Sequence, residues 1–171
     1  MRVSGAFEAD VYSQLVRSGF DFNGKRVLDI GTRDGFNCLA MKRLGAAAVV
    51  GIDLDDTHFD SLTDDDTAAI TLIKVDLLEY EPREPFDVVT CFLWNMPVPQ
   101  YDVVAQKIKA LLRPGGTVFI GIHDEIYKTG YVDRYTKHAV PRTGSVIEFM
   151  QTHFTYKCIL KSAYQWILVG N

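Results

Sequence analysis

Three aspartates stand within or just after apolar runs: Asp29 inside Val27-Leu28-Asp29-Ile30, Asp53 after Ala48-Val49-Val50-Gly51-Ile52, and Asp76 after Ala69-Ile70-Thr71-Leu72-Ile73-Lys74-Val75. Past the first of them lies Gly31-Thr32-Arg33-Asp34-Gly35, a turn bracketed by glycines and followed by the helical spacing Phe36, Leu39, Ala40, Leu44. A glycine turn that opens a helix aims backbone N–H groups at whatever binds there. Asp29, two residues ahead of the first glycine, would repel a dinucleotide pyrophosphate and attract a cationic ligand. An acid at the end of the next strand, about 20 residues past the glycines, can accept hydrogen bonds from both hydroxyls of a ribose. Asp53 holds that position. The chemistry these residues suit is the binding of a positively charged nucleoside ligand.

Asp29-x-Gly31-x-x-x-Gly35 after an apolar strand resembles the first motif of the class I S-adenosylmethionine-dependent methyltransferases, usually Asp/Glu-x-Gly-x-Gly-x-Gly. Arg33 stands where the middle glycine sits in that pattern. Its side chain either crowds the methionine end of the cofactor or swings out to pair with the cofactor's carboxylate; a subgroup with Thr-x-Asp-Gly in this loop is similar. The resemblance implies that S-adenosyl-L-methionine is the cofactor. It assigns to the cofactor site Asp29, Gly31, Thr32, Arg33, Asp34, Gly35, Asp53, Leu54, Asp76, Leu77 and Phe92. In these roles Asp53 holds the ribose, Leu54 walls the adenine slot, Asp76 accepts from the adenine exocyclic amine and the Leu77 backbone N–H meets a ring nitrogen. Leu111-Leu112-Arg113-Pro114-Gly115-Gly116 is further family resemblance, with the structural job of reversing the chain between a helix and a central strand.

Methyl transfer from a sulfonium is an in-line displacement, so most of the catalysis can come from placing the nucleophile. A neutral amine needs only placement. A hydroxyl or carbon acid needs its proton removed, and His123 or Asp124 stands at the end of a central strand to do so; His123 is the catalytic candidate, against the ordinary reading of a hydrogen-bonded strand-end histidine. Asn95-Met96-Pro97 invites comparison with the Asn-x-Pro-Tyr signature of amine methyltransferases, but Val98 replaces the aromatic and Asn95 falls about three residues late. The run from Phe86-Asp87 to Val98-Pro99-Gln100-Tyr101 resembles small-molecule methyltransferases instead. Trp94 either offers a π face to a sulfonium or flat acceptor, or packs. The acidic stretch Asp55 to Asp66 lacks the alternating donors and bend glycine of a calcium loop and reads as solvated caps and loop.

The elements that must position these residues alternate strand and helix. A helix over 6–18, carrying Phe7, Val11 and Leu15, covers a sheet edge or folds over the cofactor as a lid. Strands are expected at 26–30, 48–52, 69–75, 86–92 and 117–122, with helices after the glycine turn, over 103–112 and over 143–153, and a closing strand pair at 154–160 and 164–169. The fold class is α/β: a doubly wound, mostly parallel, seven-stranded Rossmann-like sheet with an antiparallel C-terminal strand. At 171 residues, 47% hydrophobic and 23% charged, one domain over 1–171 is expected, with residues 1–25 as N-terminal helix or lid and 123–142 as the acceptor-side segment.

The formal net charge of −4 disfavours nucleic acid as the partner. A small-molecule acceptor is therefore expected ahead of an RNA acceptor of the tRNA wobble uridine type, which the Thr-Arg-Asp-Gly loop also resembles. Lys128, Arg134, Lys137, His138 and Arg142 clustered beside the pocket would reverse that order. A third reading is a catalytically inactive, cofactor-binding subunit supporting a partner or a homo-oligomer. A nicotinamide dehydrogenase fits neither Asp29 nor the glycine spacing. No histidine, cysteine and carboxylate spacing marks a metal site, and three scattered cysteines, Cys38, Cys91 and Cys158, suit a reducing, cytoplasmic compartment. No apolar run approaches the roughly 20 residues of a membrane span.

Overall fold

The computed structural model describes residues 4–62, 64–92, 94, 96–123, 143–161 and 165–171. In chain order its elements are α1 (Ser4–Arg17), β1 (Arg26–Ile30), α2 (Phe36–Arg43), β2 (Ala48–Asp53), α3 (Asp64–Ala69), β3 (Thr71–Lys74), β4 (Phe86–Cys91), α4 (Tyr101–Leu111), β5 (Leu112–His123), α5 (Thr143–His153), β6 (Tyr156–Lys161) and β7 (Gln165–Gly170). The strands lie in the order β3-β2-β1-β4-β5-β7-β6. β1 to β5 pair in parallel, while β7 pairs antiparallel with β5 and β6. This is the doubly wound α/β arrangement with its antiparallel C-terminal strand. The strand order turns back between β1 and β4, which opens a crevice at their carboxyl ends.

Period-two alternation along the strands sorts the core into two clusters. Leu28, Val50, Val89 and Ile120 belong to one, closed by Val104 and Ile108 of α4 and Val146 and Phe149 of α5. Val27, Val49, Val88 and Phe119 belong to the other, closed by Val11 and Leu15 of α1 and Cys38, Leu39 and Met41 of α2. α1 thus packs Val11 and Leu15, both buried, against the core. Phe20 and Phe22 join this cluster against Phe119, Phe20 edge to face at 5.3 Å between ring centres and Phe22 tilted by 31° at 6.0 Å.

Most boundaries fall within two residues of the sequence reading, and three of the differences have a physical cause. The third strand begins at Thr71 instead of Ala69, because the chain from Asp64 to Ala69 is helical, as α3. Phe154 ends the helical ladder, its N–H donating to the Met150 carbonyl at 3.0 Å, so the next strand starts later. The Pro-Gly-Gly segment is a bulge inside β5 and not a turn ahead of it, for the register steps from Phe86↔Leu112 to Val88↔Thr117. Arg113 fixes the bulge by donating to Asp87 at 2.9 Å, and the other Asp87 oxygen accepts the Arg26 backbone N–H at 2.8 Å. These contacts and the Arg113 charge hold the Asp87 carboxyl below its ordinary range against a desolvation that raises it. Gly115 takes the left-handed φ of 75° that such a detour requires.

Candidate functional site

β1, β2 and β3 end together. Ile30 pairs with Ile52 and Asp53 with Lys74, so the residues that follow each strand emerge along one edge of the sheet. The Ile52 carbonyl accepts from Gly31 N–H at 2.9 Å and from Thr32 N–H at 3.1 Å, extending the β1–β2 ladder into the glycine loop. The loop then leaves the ladder through Arg33, the one described non-glycine residue with positive φ, at 55°. Its backbone N–H donates to Asp53 at 2.8 Å. The other Asp53 oxygen accepts from the Asp55 N–H at 3.1 Å. Asp53 therefore ties loop to strand and retains free lone pairs on a half-buried carboxylate.

Asp76 makes the same kind of turn after β3, accepting the Leu78 N–H at 2.7 Å, and Val75 N–H reaches back to the Asp53 carbonyl at 2.8 Å. Asp53 and Asp76 are thus joined through one peptide link at neighbouring strand ends. Leu77 is buried and Leu54 is 57% exposed, an apolar side chain left open beside the Asp53 carboxylate. Gly31, at φ 70°, has nothing within 4 Å of where a Cβ would stand, so the space over the loop is open. α2 starts at Gly35, φ 78°, with no side chain capping its first N–H groups; Asp34 approaches the Phe36 N–H only at 3.5 Å. An open loop, an uncapped helix start, a free carboxylate and an exposed apolar wall fit an adenosyl ligand that carries its own carboxylate.

Asp29 does not face that space. It is 1% exposed, its carboxylate accepting from the Thr90 hydroxyl at 2.7 Å and from the Cys38 thiol at 3.8 Å. Burial pushes its pKa up to about 7, with the hydrogen bonds from Thr90, Thr32 and Cys38 pulling the other way. The same enclosure, with Asp29 beside it, drives the Cys38 thiol upward, while a hydrogen bond with Thr32 opposes the shift. Thr32 is buried beside Cys38 at 3.1 Å and fills the room that Gly51 leaves: a Cβ on Gly51 would stand 2.6 Å from the Thr32 hydroxyl. Thr32, Cys38 and Thr90 were not apparent as a group in the sequence, although Thr90 is a polar residue in the otherwise apolar Val88-Val89-Thr90-Cys91-Phe92 run.

Phe92 is also enclosed, at 2% exposure, within the cluster under α1 and α2. Trp94 is fully buried, its ring 4.5 Å from Phe149 and 5.8 Å from Tyr101, which is a packing role. Burial raises the Tyr101 hydroxyl to about 12, against a hydrogen bond from Trp94. Beside this cluster a cavity of about 230 Å³ is lined by Val98, Tyr101, Phe149 and the His153–Asp102 pair, 3.4 Å apart. His123 closes β5 opposite Gln165, and its side chain lies outside the described residues. So do Asn95 and 124–142, with the basic residues of that segment. Cys38 and Cys91 are buried, and neither forms a disulfide among the described residues. No cluster of metal-ligating side chains, and no helix long and apolar enough to cross a membrane, is present among the described residues.

Residues 7–158 match the family described as Methyltransferase domain. The chain is 37% identical over 106 residues to the ubiquinone biosynthesis O-methyltransferase of Neisseria meningitidis serogroup C (strain 053442), over 58% of this chain and 44% of that protein. It is 30% identical over 131 residues to the ribosomal protein L11 methyltransferase of Deinococcus radiodurans, over 66% of this chain and 47% of that protein. The match thus spans less than half the length of either relative. Among solved structures, the 1,6-didemethyltoxoflavin-N1-methyltransferase of Burkholderia thailandensis, with 1,6-didemethyltoxoflavin and S-adenosylhomocysteine bound, superposes with a TM-score of 0.70 at 16% identity, covering 97% of this chain and 76% of that one. At that identity the likeness is one of fold.

Proposed function

From its place in the methyltransferase-domain family, to which the chain belongs, we infer that it takes S-adenosylmethionine across the carboxyl ends of β1, β2 and β3 and passes the methyl group to a small-molecule acceptor. The observation that carries this reading is the convergence of the Gly31–Gly35 loop, Asp53 and Asp76 on one sheet edge, linked through the Asp53–Arg33 and Asp53–Val75 hydrogen bonds. The sequence relative that acts in ubiquinone biosynthesis and the fold relative with a bound heterocycle support a small acceptor.

When bound, the cofactor supplies a methyl on a cationic sulfur, open to in-line displacement. The chain supplies position. Asp53 offers its remaining lone pairs to the ribose hydroxyls, Leu54 covers one adenine face, and Asp76 with the Leu77 N–H reads the base edge. The uncapped N–H groups of α2 and the exposed Arg33 guanidinium meet the carboxylate at the methionine end. Asp29 acts from below, as a buried acceptor that Thr90 holds under the loop, its carboxyl pushed up by burial to about 7. Acceptor choice falls to the 93–101 loop and the 123–142 segment, with His123 as base where the acceptor is a hydroxyl or carbon acid.

Titration calorimetry with S-adenosylhomocysteine tests the cofactor assignment: Asp53→Ala weakens binding about 10- to 100-fold, as for loss of hydrogen bonds to a charged group. Unchanged affinity removes the ribose role. An inosine analogue of the cofactor binds more weakly than the adenosine form if Asp76 and Leu77 read the base. Methyl-labelled cofactor incubated with metabolite, RNA and protein extracts locates the acceptor; label in RNA or protein overturns the small-molecule reading. Turnover that survives His123→Ala at every pH leaves catalysis to placement alone.

A further inference from the structure

A second concavity, about 790 Å³, opens at the other end of the sheet, among the first residues of β1, β2 and β3, the last of α2 and α3, and the latter half of the β3–β4 connection. Its presence follows from topology. Parallel strands of one sheet are ordinarily connected through a crossover helix that covers the sheet; β3 and β4, which lie on opposite sides of the β2–β1 pair, are instead connected by residues 75–85, which carry turns and bends and no helix, so the amino ends of β2 and β3 are left open on that face. The volume is in the range of a small-molecule site, about 300–1,000 Å³.

The lining is cationic in a chain whose formal net charge is −4. Arg26, Lys42 and Arg83 all contribute to it, against a single acid, Glu81, which is already paired with Lys107 at 2.7 Å. Arg26 is held in place, its guanidinium carbon 4.8 Å from the centre of the Phe86 ring. Its Nε–H is buried and meets no acceptor among the described residues. A buried donor left unmet is costly, and a guanidinium fork suits phosphate oxygens in two-point contact. Lys42 spends one ammonium proton on the Ala47 carbonyl at 2.7 Å and keeps two. Burial raises the Tyr80 phenol above its ordinary range, so the wall offers an O–H and no competing negative charge.

We propose that this groove binds a compact polyphosphate anion, with Arg26, Lys42 and Arg83 around the phosphates and Tyr80 as the wall, at the opposite end of the sheet from the Gly31–Gly35 loop. The cations surround a hollow instead of lining a convex face, which selects a compact anion over the extended backbone of a duplex. The site is independent of the cofactor reading.

Inorganic triphosphate titrated into the chain tests it, by calorimetry and by the Arg Nε–H signals of the 15N-labelled protein. Saturable one-site binding is expected, weakening with salt and shifting the Arg26 Nε–H signal. Arg83→Glu, in an exposed connection, lowers affinity at least tenfold, and so does Ala68→Trp, which fills the groove without removing a charge. Arg43→Glu, an exposed control outside the lining with the same charge change, lowers it no more than twofold. Absence of saturable binding overturns the proposal. So does an equal loss in Arg43→Glu and Arg83→Glu, which would mean that triphosphate meets only the general field of the protein.

Discussion

Asp29 concentrates the electrostatic cost of the site in one side chain. Its pKa rises from 3.8 to about 7 in the folded chain, with desolvation first among the causes. The folded state therefore keeps a proton that the unfolded state has released, and stability falls as pH rises from about 4 to 7, then levels off, by about 4 kcal/mol in all. Urea unfolding at pH 5 and pH 8 should show the loss, and Asp29→Asn should flatten it. Thr90→Val removes the 2.7 Å donor to Asp29. It should cost about 1.5–3 kcal/mol at pH 8, where the carboxyl is ionised, and about 1 kcal/mol at pH 5. An equal cost at both values would mean that Thr90 only packs. Arg33 makes a second test at this scale. At φ 55° a side chain is strained by about 1–2 kcal/mol, while glycine gives up about 0.5–1 kcal/mol in unfolded-state freedom. Arg33→Gly should thus leave stability unchanged or raised by up to about 1.5 kcal/mol. If the guanidinium meets the cofactor's carboxylate, affinity for S-adenosylhomocysteine drops by up to about fivefold, the range of an exposed ion pair; a rise in affinity would mean that Arg33 crowds the pocket.

Between elements, the glycines that matter are those standing against another segment's backbone or its loop. A Cβ on Gly121 of β5 would stand 2.5 Å from the Phe92 carbonyl oxygen and 2.7 Å from its Cα, atoms that cannot swing aside. Gly121→Ala should therefore destabilise by about 3 kcal/mol, the upper part of the overpacking range, read as a shift in the urea midpoint. Gly51→Ala meets Thr32 at 2.6 Å and displaces the cofactor loop, so it should weaken S-adenosylhomocysteine more than tenfold as well as lower stability. Neither glycine announced itself in the sequence. Each sits in a continuous apolar strand, and nothing in a single strand's pattern tells which segment will lie across it. By contrast, β1, β2 and β4 were legible to within a residue, because strands buried on both faces are marked by apolar runs, the first two of which stop at Gly31 and Asp53. The carboxyl-end placement of Asp53 followed from its own stop, and that of Asp76 from the end of the third apolar run. The enclosure of Asp29 and Phe92 did not, since alternation within a run leaves open which face a residue takes until the helices of each face are assigned. Arg113-Pro114-Gly115-Gly116 was legible as a reversal and not as a bulge, because what sets it is the Arg113–Asp87–Arg26 linkage between β5, β4 and β1.

Across the molecule, a ligand spanning the ends of β1, β2 and β3 ties together three segments that cross-link elsewhere mainly through the sheet. β3 is the weak member, an edge strand whose four residues are all at least partly exposed, whereas β1 and β4 are buried almost throughout. A ligand held by Asp53 and Asp76 adds its binding energy to the whole fold, since unfolding releases it. At S-adenosylhomocysteine concentrations about 100 times Kd this linkage is worth about 2.7 kcal/mol. For a chain of 171 residues the corresponding rise in Tm is about 5–11 °C, at roughly 2–4 °C per kcal/mol. Asp53→Ala, with Kd raised about 10- to 100-fold, should keep only about 0.4–1.4 kcal/mol of the effect at the same concentration, a rise of about 1–6 °C. Thermal unfolding with and without the ligand separates this from the carboxylate's structural work on Arg33 and Asp55. Loss of those two bonds lowers the Tm of the variant without ligand, whereas loss of the ribose contact lowers the increment that ligand adds. An increment equal to that of the wild type would place Asp53 among the groups that shape the loop and remove it from those that touch the cofactor.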